Sequence, residues 1–404
     1  KISPHILGRL AKQLTRGVVI VAGTNGKTTT SLMLMKILEK VGGKVVHNTT
    51  GANLINGIVS AFIHNSDWVG RVSADWAVIE VDENSLPLVL KYVNPKALIL
   101  LNLFRDQLDR YGEVDTIIEK WSKAIKNLPQ ETELVLNADD PAIAYLGKNT
   151  KARVSYFGLE DKKLFLSKRE HATDSTFCPN CGKRLIYEGT YFSHLGIWHC
   201  TNCGNKRPRV ELSEWVWPIP GIYNRYNTLA AVLTAQKLGI TYKFIDPVFA
   251  EFKPAFGRQE EFSVDGKKVK LFLSKNPAGF NVSLRTVLEL NPQAILLVLN
   301  DRIPDGRDVS WIWDVDFETI PSSVNIIASG DRAYDLGVRI KYSQKSQISN
   351  LKFQKKQNFI VEPDLSDSIR QGLVKTGIGE TLYVLPTYSA MLDILKLLGG
   401  RKIL

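Results

Sequence analysis

Residues 23–29 combine glycine, lysine and threonine in an order that suits the binding of nucleotide phosphates. They read Gly-Thr-Asn-Gly-Lys-Thr-Thr and stand between an apolar run and a stretch with helical spacing. Glycines let backbone N–H groups approach phosphate oxygens, and the N-terminus of the following helix adds partial positive charge. The lysine can reach the terminal phosphates, and the first threonine hydroxyl can bind Mg²⁺. The general motif has glycine at position 21, where Val21 stands, so a plain turn between strand and helix is the alternative. The predicted nucleotide-binding residues are Gly23, Thr24, Asn25, Gly26, Lys27, Thr28 and Thr29.

The four cysteines form two Cys-x-x-Cys pairs, each followed by glycine, inside a window of 26 residues. Paired knuckles at this spacing are typical of a zinc ribbon with four thiolate ligands. Such clustering indicates a metal site in a reducing compartment rather than a disulfide framework. His194 and His199 are competing ligands, and a redox role or four unrelated cysteines are further alternatives. Because a closed four-ligand site leaves no position for substrate, we expect a structural zinc. Its predicted ligands are Cys178, Cys181, Cys200 and Cys203.

The phosphate-binding segment needs a strand before it and a helix after it. Residues 17–22 are a short apolar run rich in β-branched residues, which is typical of a buried parallel strand. Residues 28–41 carry apolar side chains at helical spacing. Three more strands, at residues 74–81, 97–103 and 133–137, alternate with helical stretches. This alternation predicts an α/β fold with a doubly wound, mostly parallel sheet.

The second half of the chain contains an insertion and then a second alternation of strands and helices. Residues 172–208 hold the cysteines and interrupt the pattern, and residues 223–238 return to a helix rich in Ala and Leu. We therefore predict a nucleotide-binding domain over residues 1–258, with the zinc-ribbon insertion inside it, and a C-terminal α/β domain over residues 259–404. The strands of the C-terminal domain are predicted at residues 268–273, 293–300, 323–329 and 380–385.

Composition narrows the class of protein without selecting a function. A hydrophobic content of 44% is ordinary for a globular protein, so only the formal net charge of +11 is informative. This charge is compatible with simple solubility or with attraction to a nucleotide, a nucleic acid or an anionic membrane surface. No arginine-rich arm or RNA-binding motif favours nucleic acid. No run of about 18 apolar residues occurs, so we expect no membrane-spanning helix. Residues 1–14 lack a secretory pattern, and we expect a cytoplasmic protein.

Residues 23–29 resemble the phosphate loop of the Mur ligases and folylpolyglutamate synthases, and further segments resemble these families in the same order along the chain. The resemblance implies an ATP-dependent ligase with the central P-loop domain and the C-terminal domain of the Mur ligases. Gln107 and Tyr223 stand where these families usually have histidine. The further segments are Ile-Glu-Val at 79–81, Asn-Leu-Phe-Arg-Asp-Gln-Leu-Asp at 102–109, Leu-Asn-Ala-Asp-Asp at 136–140, Gly-Ile-Tyr-Asn-Arg-Tyr-Asn at 221–227 and Gly-Arg-Gln-Glu at 257–260.

The resemblance implies that Glu80 binds Mg²⁺ together with Thr28 and takes part in catalysis with Lys27. A solvated strand end is the alternative for Glu80. In such a ligase, Mg²⁺ neutralises ATP oxygens while a substrate carboxylate attacks the γ-phosphate. An acyl phosphate forms, and a nitrogen nucleophile then displaces phosphate. The implied cofactors are ATP and Mg²⁺, in addition to the Zn²⁺ predicted from the cysteines.

Two further contacts with the nucleotide are implied by the same resemblance. Asn227 would contact the nucleotide, and Arg258 would help to hold ATP. Asp139 and Asp140 match the family pattern as well, but both could simply cap the helix that follows them.

Two segments of the C-terminal half narrow the resemblance to the MurT family. They read Lys-Asn-Pro-Ala-Gly-Phe-Asn at 275–281 and Asp-Val-Ser-Trp-Ile-Trp-Asp-Val-Asp-Phe at 308–317. The zinc ribbon agrees with this family, and so does the expected absence of a UDP-binding domain, since only 22 residues precede Gly23. The resemblance implies amidation of the D-isoglutamate α-carboxyl in the stem peptide of lipid II, which gives D-isoglutamine. It also implies that the protein acts as a peripheral protein at the inner face of the bacterial membrane.

The same resemblance implies a heterodimer with a GatD-type glutamine amidotransferase, which would supply ammonia. This chain has no cysteine outside the ribbon and no glutaminase motif, so the use of glutamine requires a second subunit. In the family, an acidic residue of the second domain completes the partner's Cys–His site. We place that residue at Asp314, with Asp308 and Asp305 as alternatives. For the surrounding tryptophans, core packing beside a helix-capping aspartate is the simpler interpretation.

Three other functions are compatible with the sequence. A stand-alone Mur or folylpolyglutamate-type ligase would add an amino acid without a partner. A non-catalytic ATP-binding scaffold would account for the two replaced histidines, and a zinc-ribbon nucleic-acid binder would use the basic charge. Retained ATPase activity separates the scaffold from the ligases, and salt-sensitive RNA or DNA binding tests the third function.

Overall fold

A computed structural model of the chain describes residues 5–48, 52–105, 114–253, 258–346 and 359–399. The described residues form two compact units. Unit 1 contains residues 5–169 and 173–253, apart from the gaps just given, and unit 2 contains residues 170–172 and 258–399. The domain boundary expected between residues 258 and 259 stays a prediction.

Unit 1 is built on a six-stranded sheet in the order β2-β3-β1-β4-β5-β6, and every neighbouring pair is parallel. The doubly wound parallel sheet predicted from the sequence is therefore confirmed. Its central strands are buried along their length, which explains why they read as continuous apolar runs. The strands are β1 Gly17–Ala22, β2 Val45–His47, β3 Trp76–Val81, β4 Ala97–Leu100, β5 Glu133–Asn137 and β6 Arg153–Phe157.

Helices cover this sheet, and apolar side chains of strands and helices pack together in a buried cluster. The cluster joins Ile20 and Ile79 from neighbouring strands to Phe62 and Trp121 from helices. The helix that follows β1 packs on the long helix Ile222–Lys237, whose residues are mostly buried. The helices of unit 1 are α1 His5–Ala11, α2 Lys27–Lys40, α3 Ile55–His64, α4 Leu86–Val89, α5 Val114–Ile125, α6 Pro141–Leu146, α7 Ile222–Lys237 and α8 Tyr242–Ala250.

The cysteine-containing insertion carries an antiparallel hairpin that periodicity did not predict. Its strands are β7 Ile186–Phe192 and β8 Leu195–His199. Register shifts near Gly189 and Thr190 interrupt the alternation of inward and outward side chains, so no clean period-2 pattern exists to be read. Buried Trp198 packs with the cysteines in a small satellite cluster.

Unit 2 repeats the layered plan with a sheet in the order β13-β12-β11-β14-β10-β9. All neighbouring strands are parallel except β9, which runs antiparallel to β10 at the edge. The four strands predicted here are all present, with each bound within two residues of the predicted one. The strands are β9 Arg258–Val264, β10 Lys267–Phe272, β11 Ala294–Val298, β12 Asn325–Ser329, β13 Phe359–Val361 and β14 Thr381–Pro386, and the helices are α9 Pro277–Glu289, α10 Ala333–Ser346, α11 Leu365–Val374 and α12 Tyr388–Gly399.

The strand β4 is shorter than predicted because the residues after it bond to the loop that follows β1. The strand expected at 97–103 ends at Leu100. Leu101 N–H still donates to Ala22 O, but the next residues turn to bond with the loop after β1. Among the helices that the structure describes, none is both long and apolar enough to cross a lipid bilayer.

Candidate active site

The glycine-rich loop joins β1 directly to α2, as predicted. Gly23 has φ 138° and Gly26 has φ 94°, backbone conformations that side chains rarely adopt. A Cβ on Gly26 would lie 2.1 Å from Asn227 Oδ1, so glycine is also required for space. Gly26 is the residue before α2, and no side chain caps this helix. The amide groups at its first turn are therefore available to an anion such as phosphate.

Asn102 holds the loop in place from the neighbouring strand end. Its Oδ1 accepts from Asn25 N at 2.9 Å, and its Nδ2 donates to Asn25 O at 3.0 Å. Asn102 O accepts from Thr24 N at 3.0 Å, and Thr24 Oγ1 accepts from Phe104 N at 3.0 Å. The strand β4 stops early because its continuation forms this clamp. Sequence reasoning found Asn102 within a family segment but did not identify this role.

Lys27 is the first residue of α2 and is 7% exposed. Its Nζ donates to Gly23 O at 2.5 Å and to Thr24 O at 3.3 Å, and lies 3.4 Å from Glu83 Oε1. These partners offset the cost of burying the ammonium group. A buried cation at an uncapped helix N-terminus attracts phosphate oxygens strongly, because little water screens it.

Glu80 faces the start of α2 from the adjacent strand β3, where it pairs with Val21 in the parallel ladder. Thr28 Oγ1 donates to Glu80 Oε2 at 3.0 Å, and Ser31 Oγ donates to Glu80 Oε1 at 3.3 Å. Glu80 is 1% exposed, so the solvated-strand-end alternative is wrong. A buried carboxylate beside a threonine hydroxyl supplies the oxygen ligands that Mg²⁺ prefers, and these residues fit that ion.

Two residues that the sequence analysis missed support Glu80. Asn48 Nδ2 donates to Glu80 O and Asn48 Oδ1 accepts from Glu80 N, both at 2.9 Å. His47 Nε2 lies 3.0 Å from Ser31 Oγ, and burial lowers the pKa of His47 to about 4, which leaves the ring neutral near pH 7. Their position directly at the end of β2 is a signal that could have found them, but that three-residue strand was not predicted.

Asn227 lies on α7 next to the same loop. Its Oδ1 accepts from Thr30 Oγ1 at 3.4 Å, and its Nδ2 donates to Asn224 Oδ1 at 3.1 Å. Arg258 begins β9, but its side chain lies outside the described part of the chain. Gln107 also lies outside the described residues. Unit 1 thus brings the loop, Glu80 and Asn227 together.

Asp139 and Asp140 are buried and act as structural acceptors. Asp140 caps α6 by accepting from Ala142 N and Ile143 N, so the helix-cap alternative is correct for this residue. Asp139 Oδ1 accepts from Arg207 Nε at 2.6 Å. Asp139 Oδ2 accepts from Leu159 N–H at 2.9 Å and from the Tyr226 hydroxyl at 2.7 Å. Burial raises the pKa of Asp139, and the Arg207 guanidinium opposes this shift. Because Arg207 follows the cysteine pairs, Asp139 anchors the insertion to the sheet.

The four cysteine sulfurs all lie within 4.8 Å of one another. Cys178 Sγ is 3.6 Å from Cys203 Sγ, and Cys181 Sγ is 3.5 Å from Cys200 Sγ. A tetrahedral zinc with Zn–S bonds of about 2.3 Å separates its sulfurs by about 3.8 Å, close to these distances. A hydrogen bond from the Asn180 side chain lowers the pKa of the Cys203 thiol, which favours the thiolate that a metal binds.

The histidines named as competing ligands are not part of this cluster. In the described part of the chain, the four cysteines form the one group of three or more His, Cys, Asp or Glu side chains arranged to hold a metal. His194 is buried elsewhere, with Nε2 3.3 Å from Asp140 Oδ2 and its ring against Phe104. The donor set is therefore compatible with a four-thiolate zinc site.

The three candidate acids for the partner's site have different surroundings in unit 2. Asp305 is buried, and its carboxylate accepts from Ser389 N at 2.8 Å and from the Ser389 hydroxyl. Asp308 is exposed and accepts from Ser310 N at 2.8 Å, at the start of a short 3₁₀ helix. Hydrogen bonds from Ser310 lower the pKa of Asp308. Asp314 is half-buried at the end of that 3₁₀ helix.

The two tryptophans around Asp314 divide between the core and the surface. Trp311 packs against the core of unit 2 near Phe280, as the simpler interpretation held. Trp313 is 50% exposed and lies beside the Tyr342 ring of α10. Arg339, also on α10, is buried, pairs with Glu318 and donates to Val315 O at 2.6 Å. These contacts hold the segment that carries Asp314.

Comparisons with known proteins match both units. The Mur ligase middle domain family matches residues 21–235, and the MurT ligase C-terminal family matches residues 273–391. The chain is 37% identical to the subunit MurT of lipid II isoglutaminyl synthase (glutamine-hydrolyzing) from Staphylococcus aureus strain COL, over 85% of this chain and 81% of that protein. It is 34% identical to the subunit of the same name from Streptococcus pneumoniae strain ATCC BAA-255 / R6, over 98% of this chain and 90% of that protein.

A solved structure has a similar fold over nearly the whole chain. It is a pseudomurein peptide ligase type C from Methanothermus fervidus, with a TM-score of 0.68 and 23% sequence identity. The match covers 96% of this chain and 80% of the other. At this level of identity the likeness concerns the fold alone.

Proposed function

This chain belongs to the MurT family, and so to the ATP-dependent Mur ligases of peptidoglycan synthesis, and from this premise we propose that it amidates lipid II. The substrate is the α-carboxyl of D-isoglutamate in the stem peptide, and the product is D-isoglutamine. The observation that carries the proposal is the convergence of Lys27, Thr28 and Glu80 at the uncapped start of α2. In a member of this family, that arrangement supports ATP-driven activation of a carboxylate.

The loop and Lys27 bind and orient the triphosphate of ATP. Backbone amides at the start of α2 and the Lys27 ammonium stabilise the charge that builds on the phosphate oxygens during transfer. A carboxylate oxygen of the substrate attacks the γ-phosphorus, the bond to the β–γ bridging oxygen breaks, and ADP leaves. The product of this step is an acyl phosphate.

Thr28 and Glu80 are the residues that would hold Mg²⁺. When bound, the ion neutralises phosphate oxygens and helps to align the reacting groups. Asn48 fixes the backbone of Glu80, and Ser31 orients its carboxylate. Asn227 and Arg258 are proposed to contact the rest of the nucleotide.

The second step forms the amide. Ammonia attacks the carbonyl carbon of the acyl phosphate, the nitrogen loses a proton, and inorganic phosphate leaves. Because ammonia is small, this step requires positioning of the acyl phosphate rather than an amino-acid pocket. We propose that the subunit partner of this chain is a GatD-type glutamine amidotransferase, which releases the ammonia from glutamine.

Asp314 is proposed to complete the Cys–His site of that partner. Its position on a partly exposed, braced segment supports this role, since another protein can reach this segment. Asp305 is less suited because its carboxylate is buried against Ser389. Asp308 is exposed, but its carboxylate already accepts from Ser310 N.

The four cysteines are proposed to bind one structural Zn²⁺. The metal would hold the hairpin β7–β8, which Arg207 and Trp198 join to the end of β5. Metal analysis of the purified protein should give one zinc per chain. A Cys178→Ser variant should bind less zinc and unfold at a lower temperature, because a lost structural zinc removes folding free energy.

The deciding experiment is amidation of lipid II by the purified chain with Mg-ATP and three nitrogen sources. These are ammonium chloride, glutamine alone, and glutamine with a GatD-type partner, and the product is identified by the mass change from carboxyl to amide. We expect ammonium to work alone and glutamine to work only with the partner. ATP hydrolysis without amidation from any source would refute the proposal and favour a ligase that adds an amino acid.

A further inference from the structure

A short turn between α3 and β3 presents two large apolar side chains to solvent. Trp68 is 106% exposed and Val69 is 79% exposed. Ile63, at the end of α3 just before the turn, is exposed as well. Neighbouring exposed apolar side chains are candidates for contact with another apolar phase or molecule.

The turn is held in one shape by its own hydrogen bonds. Asp67 Oδ1 accepts from Val69 N at 2.9 Å and from Arg71 N at 2.8 Å, and Gly70 N donates to Asp67 O at 2.9 Å. These N–H groups, that of Arg71 first, lower the pKa of Asp67. The negative charge of its carboxylate therefore stabilises the turn. Trp68 is therefore displayed by a formed structure.

Gln13, which follows α1, joins this turn to the N-terminal segment. Its Nε2 donates to Gly70 O and its Oε1 accepts from Val72 N, both at 3.0 Å. The segment 5–16 contains three basic residues and no Asp or Glu, and Arg71 adds another positive charge beside Trp68. All four basic side chains are exposed; they are Arg9, Lys12, Arg16 and Arg71.

We propose that this turn docks the protein on an anionic phospholipid surface, with Trp68 and Val69 entering the headgroup region. Tryptophan prefers the membrane–water interface because its ring is apolar and its N–H can remain hydrated. Lys and Arg near the surface add attraction to anionic lipids. The choice of a membrane as the occupant rests on the proposed function, in which the substrate is lipid-linked. Docking would keep the chain close to that substrate.

The test is co-sedimentation of the full chain with vesicles that contain neither lipid II nor ATP. Vesicles of phosphatidylglycerol and phosphatidylcholine in equal parts are compared with phosphatidylcholine alone. The double variant Trp68→Ser, Val69→Ser should bind the anionic vesicles roughly tenfold more weakly, the scale set by burying such side chains. The double variant Lys12→Gln, Arg71→Gln should weaken binding about fivefold for each charge removed.

A matched control removes two apolar side chains from an exposed part of unit 2. Val374 and Ile378 are strongly exposed, and the variant Val374→Ser, Ile378→Ser should bind vesicles as the wild type does. Equal binding of wild-type protein to both vesicle types would overturn the proposal. So would unchanged binding of the Trp68 and Val69 variant to the anionic vesicles.

Ammonium-driven amidation of detergent-dispersed lipid II separates this inference from the proposed function. The Trp68 and Val69 variant should keep that activity, because detergent removes the need to reach a membrane. Vesicle binding that depends on Trp68, without amidation by any variant, would support docking and refute the proposed reaction. Amidation without vesicle binding would support the proposed reaction and refute docking.

Discussion

The helices α2 and α9 each follow a sheet strand in their own unit, but the two helices begin in opposite ways. Each follows a strand of a mostly parallel six-stranded sheet. α2 starts after Gly26 without a side-chain cap. In α9, Asn276 Oδ1 accepts from Gly279 N at 2.7 Å, and Pro277, which has no N–H, occupies the first position. The same architecture thus leaves donors available to a ligand in one unit and uses them internally in the other.

Polar groups near the strand ends in unit 2 also use their hydrogen bonds internally. Asn300 N donates to Thr387 Oγ1 at 3.0 Å, and Asn300 Nδ2 donates to Ser389 Oγ at 3.1 Å. Asp305 also bonds to Ser389. These groups satisfy one another, and the acid proposed for chemistry, Asp314, lies on a surface segment instead. Four predictions test this contrast.

The largest effect is expected for Lys27→Ala. ATP-dependent amidation should fall about 10³-fold, because the cation that stabilises phosphate charge in a buried site is lost. Lys36→Ala, on the exposed side of the same helix, is the control and should keep full turnover. ADP release measures activity, and thermal unfolding checks that the variant is folded. Near wild-type turnover in the folded variant would contradict the assignment of the loop.

Asp314→Asn tests the surface acid of unit 2. Glutamine-driven amidation with the partner should fall about 10²-fold, since an amide cannot orient a histidine as a carboxylate does. Ammonium-driven amidation should be unchanged, and the ratio of the two rates is the measurement. Asp308→Asn is the comparison, because an asparagine side-chain oxygen can accept from Ser310 N as the aspartate does. A loss confined to Asp308→Asn would move the role to that residue.

Asn48→Ala tests whether the hydrogen bonds from Asn48 to the Glu80 backbone help Glu80 to bind Mg²⁺ in unit 1. The Mg²⁺ concentration for half-maximal activity should rise about tenfold, as for other residues that orient metal ligands. A titration of amidation rate against Mg²⁺ gives this value. Asn56→Ala on the exposed face of α3 should leave it unaltered. The same Mg²⁺ requirement in both variants would show that Glu80 needs no clamp.

The smallest effect is expected for Asn276→Ala at the capped helix α9. The free energy of unfolding should fall by about 1 kcal/mol, the usual cost of a lost helix cap. Urea-induced unfolding gives that value, and ATP turnover is measured in parallel. A large loss of turnover with unchanged stability would mean that the start of α9 binds nucleotide as well, and the contrast between the two helices would fail.

Much of the fold could be predicted because long buried strands carry a clear pattern. β1 and β5 have the predicted bounds, and α2 begins one residue before the predicted start. The three-residue edge strands β2 and β13 were missed, since so short a segment shows no period. Because β2 was not predicted, His47 and Asn48, the residues that support Glu80, were not identified either.

The sequence by itself determined which residues could do chemistry. Local spacing identified the phosphate loop and the paired cysteines, because each motif is complete within a few residues of the chain. Only the tertiary structure decided which distant acids lie beside the loop. Thr28 meets Glu80 because β1 and β3 are neighbours in the sheet, whereas Asp140 is used to cap α6. Strand order sets such distances, and strand order depends on the packing of the whole unit.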